Sequence, residues 1–301
     1  MLSAALATVA TCGCGSGKPG QADVKGAFGK TGRGKGEFLY PRAIDIAADG
    51  TLWVVDKTGR VQHLDREGRH VGGFSVPAIE AGKPTGLSVG PDGRIYIADT
   101  HYNRVLVYTP AGRLVRRFGR LGQEDGCFIY PTDVAFAPDG RLFVSEYGGN
   151  DRVSIYTAEG KFLSSFGTFG SERRQFSRPS AVTVDAKRGR LYVADACNHR
   201  IGVYDLWGKW LRQVGSVGRQ AGQFRYPYDL ALLADGRLVV CEFGNNRIQV
   251  LRPDGTSEAV FGGPGRRLGQ LAYPWGVCVD TDERAYVVDA GNNRIQIWQL
   301  P

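Results

Sequence analysis

Four carboxylates sit where they could converge on one opening. Asp133 and Asp229 each lie two residues after a proline, Pro131 and Pro227, where parallel stretches of the chain carry Ala or Gly. Downstream, Glu146 and Glu242 each begin an acid–aromatic–Gly run, EYGGN (146–150) and EFGNN (242–246). Such an oxygen-rich set can hold a hard cation, so a calcium-like divalent ion is the candidate cofactor. The same set can bind hydroxyls or a cationic group, or extend a purely structural ionic network.

A second acidic pattern recurs throughout. Asp56, Asp99, Glu146, Asp195, Glu242 and Asp289 each close an apolar run, and an arginine follows four to six residues later: Arg60, Arg104, Arg152, Arg200, Arg247 and Arg294. A pair present in every unit reads as scaffold: the acid satisfies loop N–H groups and the arginine neutralises the acid. The remaining arginines have no such fixed partner. Arg120, Arg173, Arg174, Arg219, Arg266 and Arg267, with Lys30, Arg33 and Lys35, crowd the Gly-rich connections and carry much of the net charge of +8. A basic surface favours anionic partners without choosing among them. Of four histidines, His63 and His70 read as surface residues, while His101 (DTHYNR) and His199 (DACNHR) lie in loops that could reach the same opening.

These residues are positioned by an internal repeat. Pro41, Pro84, Pro131, Pro179, Pro227 and Pro274 recur at spacings of 43 to 48 residues. After each proline comes a short apolar strand, then a tight turn, Asp-Gly in four units, whose glycine supplies the positive φ a hairpin needs. A second strand ends in the acid (LWVVD, IYIAD, LFVSE, LYVAD, LVVCE, AYVVD), a third follows the arginine, and a fourth ends in Phe-Gly or a variant. Four strands at a period in the mid-forties predict propeller blades, and six units predict one all-β, six-bladed β-propeller over residues 23–301. The last unit lacks a fourth strand, and Val24–Gly29 (VKGAFG) supplies one by pairing with 294–299. In a four-stranded blade the loop joining strands two and three shares a face with the crossover to the next blade. The acids, the paired arginines and the basic loops therefore gather on one face, the upper one.

The pattern YP…D…DG.LYVAD…NR[VI].[VI], with its closing FG, resembles the NHL repeat over residues 23–300. The resemblance implies the propeller fold but spans several functions: RNA-binding and protein-binding modules, extracellular sensor domains of bacterial kinases, and the lyase half of peptide-amidating enzymes. The amidating lyases use several histidines around zinc with calcium nearby. Only His101 and His199 could match here, in blades that are not neighbours, which argues against that activity. Gluconolactonase propellers are similar in outline, with calcium held by carboxylates and amides at a central channel. By that resemblance Asp133, Glu146, Asp229 and Glu242 would serve a metal-assisted hydrolase or lyase. RNA binding needs aromatic residues beside the arginines, with Tyr102, Tyr147 and Phe243 as candidates.

Residues 2–11 (LSAALATVAT) are apolar and are followed by CGCG, which resembles a bacterial lipoprotein signal with Cys12 lipidated and Cys14 the alternative. No Lys or Arg precedes the apolar run, a departure from that pattern. Residues 1–22 are accordingly read as signal-like segment and linker, and the location as extracytoplasmic, with a lipid anchor as the one membrane contact. An exported protein would rarely meet RNA, which counts against nucleic acid. The other four cysteines share no metal-binding spacing, and Cys241 and Cys278 lie in apolar runs as small hydrophobes. No GxSxG, HExxH, P-loop or Rossmann pattern occurs in a fitting context. The first reading is thus a monomeric, non-catalytic binding or scaffold propeller that recognises a protein or anionic polymer on its basic upper face. The metal-assisted enzyme is the alternative.

Overall fold

A computed structural model describes residues 22–301. The expected segment at Cys12 lies outside the described residues. Six four-stranded antiparallel sheets form six blades. Their inner strands are Pro41–Ile46, Gly86–Val89, Pro131–Phe136, Pro179–Asp185, Pro227–Leu232 and Pro274–Val279, and each packs beside the inner strand of the next blade. The last blade contains strands 274–279, 284–289 and 294–299, and Asp23–Phe28 completes it by pairing antiparallel with Arg294–Gln299. Val24 lies opposite Trp298, and Phe28 opposite Ile295. Ring closure thus joins the two ends of the propeller through a backbone ladder and covers the otherwise open edge of Arg294–Gln299.

Burial follows position within the blade. The second strands, such as Leu52–Asp56 and Leu142–Glu146, are buried throughout apart from the leading Arg190 and Arg284 of two blades, because both faces of a blade meet a neighbouring blade. The outermost strands alternate, as in Asp23–Phe28, with one side facing water. The core is accordingly divided into six apolar clusters, one in each gap between blades. One gathers Phe38, Leu52, Tyr286 and Ile295 from the first and last blades, and another gathers Phe143, Phe176, Val193 and Tyr204 from the third and fourth. Cys241 and Cys278 are buried among these side chains, as their apolar context predicts. His63 departs from expectation. It is half-buried, stacks on Trp53 with ring centroids 4.1 Å apart, and bonds Thr51 Oγ1 at 2.7 Å.

The Phe-Gly endings have a steric cause. Gly119 has φ of 84°, and a Cβ there would collide with the Phe128 ring that plugs the start of the following crossover. Five crossovers share this build, with a parallel bridge such as Leu121↔Phe128 or Val217↔Phe224. The crossover from blade one to blade two, residues 76–85, lacks it. Deleting residues 23–28 should expose the 294–299 edge. At about 1 kcal/mol per ladder hydrogen bond, urea unfolding should show a loss of several kcal/mol together with self-association.

Candidate functional site

The upper face is organised by the acid–arginine pairs. All six form, with N–O distances of 2.6 to 2.8 Å and carboxylates almost wholly buried. In five of the six blades the acid also accepts a backbone N–H from the incoming crossover: Leu39, Ile129, Ser177, Arg225 and Ala272. In the same five blades the arginine donates to crossover carbonyls. Arg152 reaches Gln123, Glu124 and Cys127, and Arg200 reaches Ser171, Glu172 and Gln175. One guanidinium neutralises a buried charge and pins a loop, the structural role the repetition implied.

A latch joins successive blades above this layer. The residue before the arginine adopts a left-handed conformation and accepts the N–H of the residue before the next proline. Asn103 receives Tyr130, Asp151 receives Arg178, Asn246 receives Tyr273, and Asn293 receives Tyr40 across the closure. His199 fills this position in blade four, its Nδ1 accepting the Tyr226 N–H at 3.1 Å. The donating tyrosines and Arg178 have φ between 48 and 58°, a strain the latch holds in place.

This layer changes the reading of the candidate carboxylates. Glu146 and Glu242 are wholly buried and do not face the opening. Glu146 is held by Arg152, Asn150 and the Ile129 N–H; Glu242 is held by Arg247, Asn245, Gln249 and the Arg225 N–H. Asp133 and Asp229 do face the channel, so the four are not brought together. Among the described residues no group of three or more His, Cys, Asp or Glu is arranged to hold a metal ion. The calcium-like set is not assembled because each glutamate, like the aspartate at the same position in the other blades, is turned into its own buried arginine pair. His101 bonds the Lys83 backbone and His199 forms a latch, and neither lines the channel. The six loop arginines, Arg120, Arg173, Arg174, Arg219, Arg266 and Arg267, are exposed and make no ion pair with any described residue.

Asp45 joins Asp133 and Asp229 in the channel, giving one aspartate in each of blades one, three and five. Each carboxylate accepts a backbone N–H from the inner strand of the following blade: Asp45 from Val89 (2.7 Å), Asp133 from Val182 (3.0 Å) and Asp229 from Val277 (2.8 Å). The second oxygen accepts the N–H of the next residue along the strand. Although the channel leaves them part of their surface, they sit deep inside the molecule and near one another. Desolvation pushes Asp45 up to about 6 and Asp133 up to about 7, and it also raises Asp229, with repulsion among the three adding to the latter two shifts.

The aspartates line a cavity of about 400 Å³, the size of a small-ligand site. Its rim is formed by the residue after each anchor proline: Arg42, Thr85, Thr132, Ser180, Tyr228 and Trp275. In five of the six inner strands this residue lies in a β-bulge. Pro131 pairs with Glu146 but Asp133 with Ser145, leaving Thr132 as the extra residue. The same shift occurs at Arg42, Ser180, Tyr228 and Trp275. A bulge turns a side chain that would otherwise enter the sheet toward the channel, and it lets Thr132 and Asp133, or Tyr228 and Asp229, face it together. Sequence reasoning missed this ring. The available signal was the variation at one repeat position: Arg, Thr, Thr, Ser, Tyr, Trp.

The NHL repeat pattern matches residues 82–108, 176–204, 224–251 and 271–298, in blades two, four, five and six. Over 76 residues the chain is 32% identical to Protein brain tumor of Drosophila melanogaster, a stretch that is 25% of this chain and only 7% of that protein. Among solved structures, a streptogramin B lyase superposes with a TM-score of 0.64 at 18% identity, covering 93% of this chain and 98% of that one. Virginiamycin B lyase from Staphylococcus aureus gives 0.62 at 18%, covering 93% and 99%. A protein of unknown function from Bacteroides thetaiotaomicron gives 0.69 at 18%, covering 93% and 76%. At these identities the likeness is one of fold.

The aspartates make a pH prediction. A carboxylate whose folded pKa is raised stabilises the fold below its unfolded pKa near 3.8 and loses that contribution as pH rises through the folded value. The thermal midpoint of the native chain should fall as pH rises from about 4 to about 7 and level off above, and Asp133→Asn should flatten that fall while matching the native chain at about pH 4 and below.

Proposed function

We propose that this six-bladed propeller of NHL repeats is a binding module whose upper face receives a protein partner presenting acidic side chains. The supporting observation is the pairing of exposed arginine with exposed apolar surface on the crossover tips. Leu121 (66% exposed) adjoins Arg120, Phe169 (67%) precedes Arg173 and Arg174, Val217 (60%) precedes Arg219, and Leu268 (52%) follows Arg266 and Arg267. The six paired arginines beneath them are spent on the scaffold, so the loop arginines alone offer free positive charge at these tips. Apolar side chains interleaved with arginine suit a protein surface better than a uniform polyanion, which offers little apolar contact. The metal-assisted hydrolase or lyase needed four carboxylates on one opening, and Glu146 and Glu242 are withheld from it. Export and lipid attachment at Cys12 belong to the same proposal, with the propeller displayed from an envelope.

Two measurements test this. Charge reversal at Arg173/Arg174 and Arg266/Arg267, and separately Leu121→Ser/Phe169→Ser, should each abolish capture of the partner from an envelope extract. Retention on heparin should depend on the arginines alone, its log–log salt slope falling by roughly one per arginine removed. Capture that survives charge reversal would refute the proposal, and capture lost with the arginines but indifferent to Leu121 and Phe169 would identify a polyanion instead. For the anchor, Cys12→Ala should move the full-length chain from the membrane to the soluble fraction of a bacterial host.

A further inference from the structure

The mouth of the central channel is lopsided. Blades two, three and four contribute Thr85, Thr132 and Ser180, of which Thr132 and Ser180 donate to inner-strand carbonyls of the next blade. Blades five, six and one contribute Tyr228, Trp275 and Arg42, and Arg178 reaches in from the start of blade four. Arg42 and Arg178 come from opposite sides of the ring. Neither guanidinium has a carboxylate within 4 Å among the described residues, unlike the six paired arginines of the rim. The Nε of Arg42 is buried with no hydrogen-bond partner.

What holds these two cations is aromatic. The Arg42 guanidinium lies 4.9 Å from the centre of the Trp275 ring, and that of Arg178 lies 5.0 Å from Tyr147 and 5.4 Å from Tyr228. Stacking on a ring face fixes a guanidinium in place and leaves its N–H edge free, the geometry in which arginine takes a carboxylate through two parallel bonds. Burial disfavours the charge on Arg42, and Arg178 is near enough to add repulsion. Two unpaired cations converging at a half-buried mouth leave an unmet demand for an anion. Tyr228 and Trp275 also pack edge-to-face, ring centres 5.0 Å apart and planes inclined by 60°, so the wall beside the cations is an apolar corner. One residue deeper the character reverses: Asp133 and Asp229 form an acidic floor to the mouth, with Asp45 below, and the cavity continues past them between apolar inner-strand residues.

We propose that this mouth is a small-molecule site for an aromatic carboxylate bearing a hydroxyl or amino group at its far end. Arg42 and Arg178 hold the carboxylate, the corner formed by Trp275 and Tyr228 lines one side of the ring, and Asp133 and Asp229 receive the far-end donor. Because Asp133 titrates near neutrality, the floor can accept a hydrogen bond from a hydroxyl and also donate one. The assignment does not depend on the partner-binding face, which uses the loop arginines and none of these residues.

The test is calorimetric titration of the full chain with 4-hydroxybenzoate, benzoate and methyl 4-hydroxybenzoate at about pH 7.5. 4-Hydroxybenzoate should bind saturably. The methyl ester, which lacks the anion, should bind about tenfold or more weakly, and benzoate, which lacks the far-end donor, should bind several-fold more weakly. Arg42→Gln and Arg178→Gln should each weaken 4-hydroxybenzoate about 10- to 100-fold while leaving the unfolding midpoint within a few degrees. Should either variant fail to fold, the ligand series on the unaltered chain still decides. The assignment is overturned if acid and ester bind equally, if folded arginine variants bind as tightly as the parent, or if 4-hydroxybenzoate gives no saturable heat up to about 10 mM.

Discussion

A carboxylate at the end of each second strand is buried between two blades, and a buried charge persists only if it is paired and hydrogen-bonded. The rest of the upper face is built around meeting that demand. The arginine that neutralises the acid also has N–H groups to spare, and it spends them on the carbonyls of the incoming crossover. The crossover returns a backbone N–H to the acid in most blades. In five of the six blades the pair therefore fixes the incoming loop, and that loop in turn carries exposed arginine and apolar tip residues in blades three to six. Removing one partner would leave a buried ion and release a loop together, which is why the pair recurs six times without a gap.

The channel obeys a different constraint. Inner strands crowd around an axis, and each must satisfy the backbone groups it turns toward its neighbours. Asp45, Asp133 and Asp229 do this in alternate blades by accepting an N–H from the next strand. In return their own charge sits in a poorly solvated shaft, where desolvation favours protonation. The mouth above combines unpaired guanidinium groups, stacked rings and an acidic floor within a few residues of chain. Stability alone gives no reason to leave Arg42 and Arg178 unpaired in a protein that pairs so many of its other arginines.

Much of the architecture was legible before any coordinates. The prolines, the Asp-Gly turns and the acid–Arg pairs are local signals repeated in register, and repetition removes the ambiguity any single copy would have. The missing fourth strand of the last unit and its supply by residues near 24–29 followed from the same count. The site was legible only in part. Asp133 and Asp229 were marked by their departure from Ala or Gly. Glu146 and Glu242 were marked the same way, yet they are scaffold residues in which a longer acid does the work of aspartate. His199 was read as a loop histidine near the rim, but it substitutes for the latch asparagine of other blades.

The sequence by itself determined the fold class, the six blades, the ring closure and the pairing of each rim acid with its arginine, because all of these are written at a fixed short distance or a fixed period along the chain. The tertiary structure decided which side chains share the channel. Arg42 and Arg178 meet only because blades one and four stand across one axis. Thr132 and Asp133, consecutive on a strand, face the same way only because a bulge breaks the two-residue alternation. Neither a cross-channel encounter nor a bulge leaves a periodic mark, since the first depends on the closed ring and the second on how one strand is paired with the next.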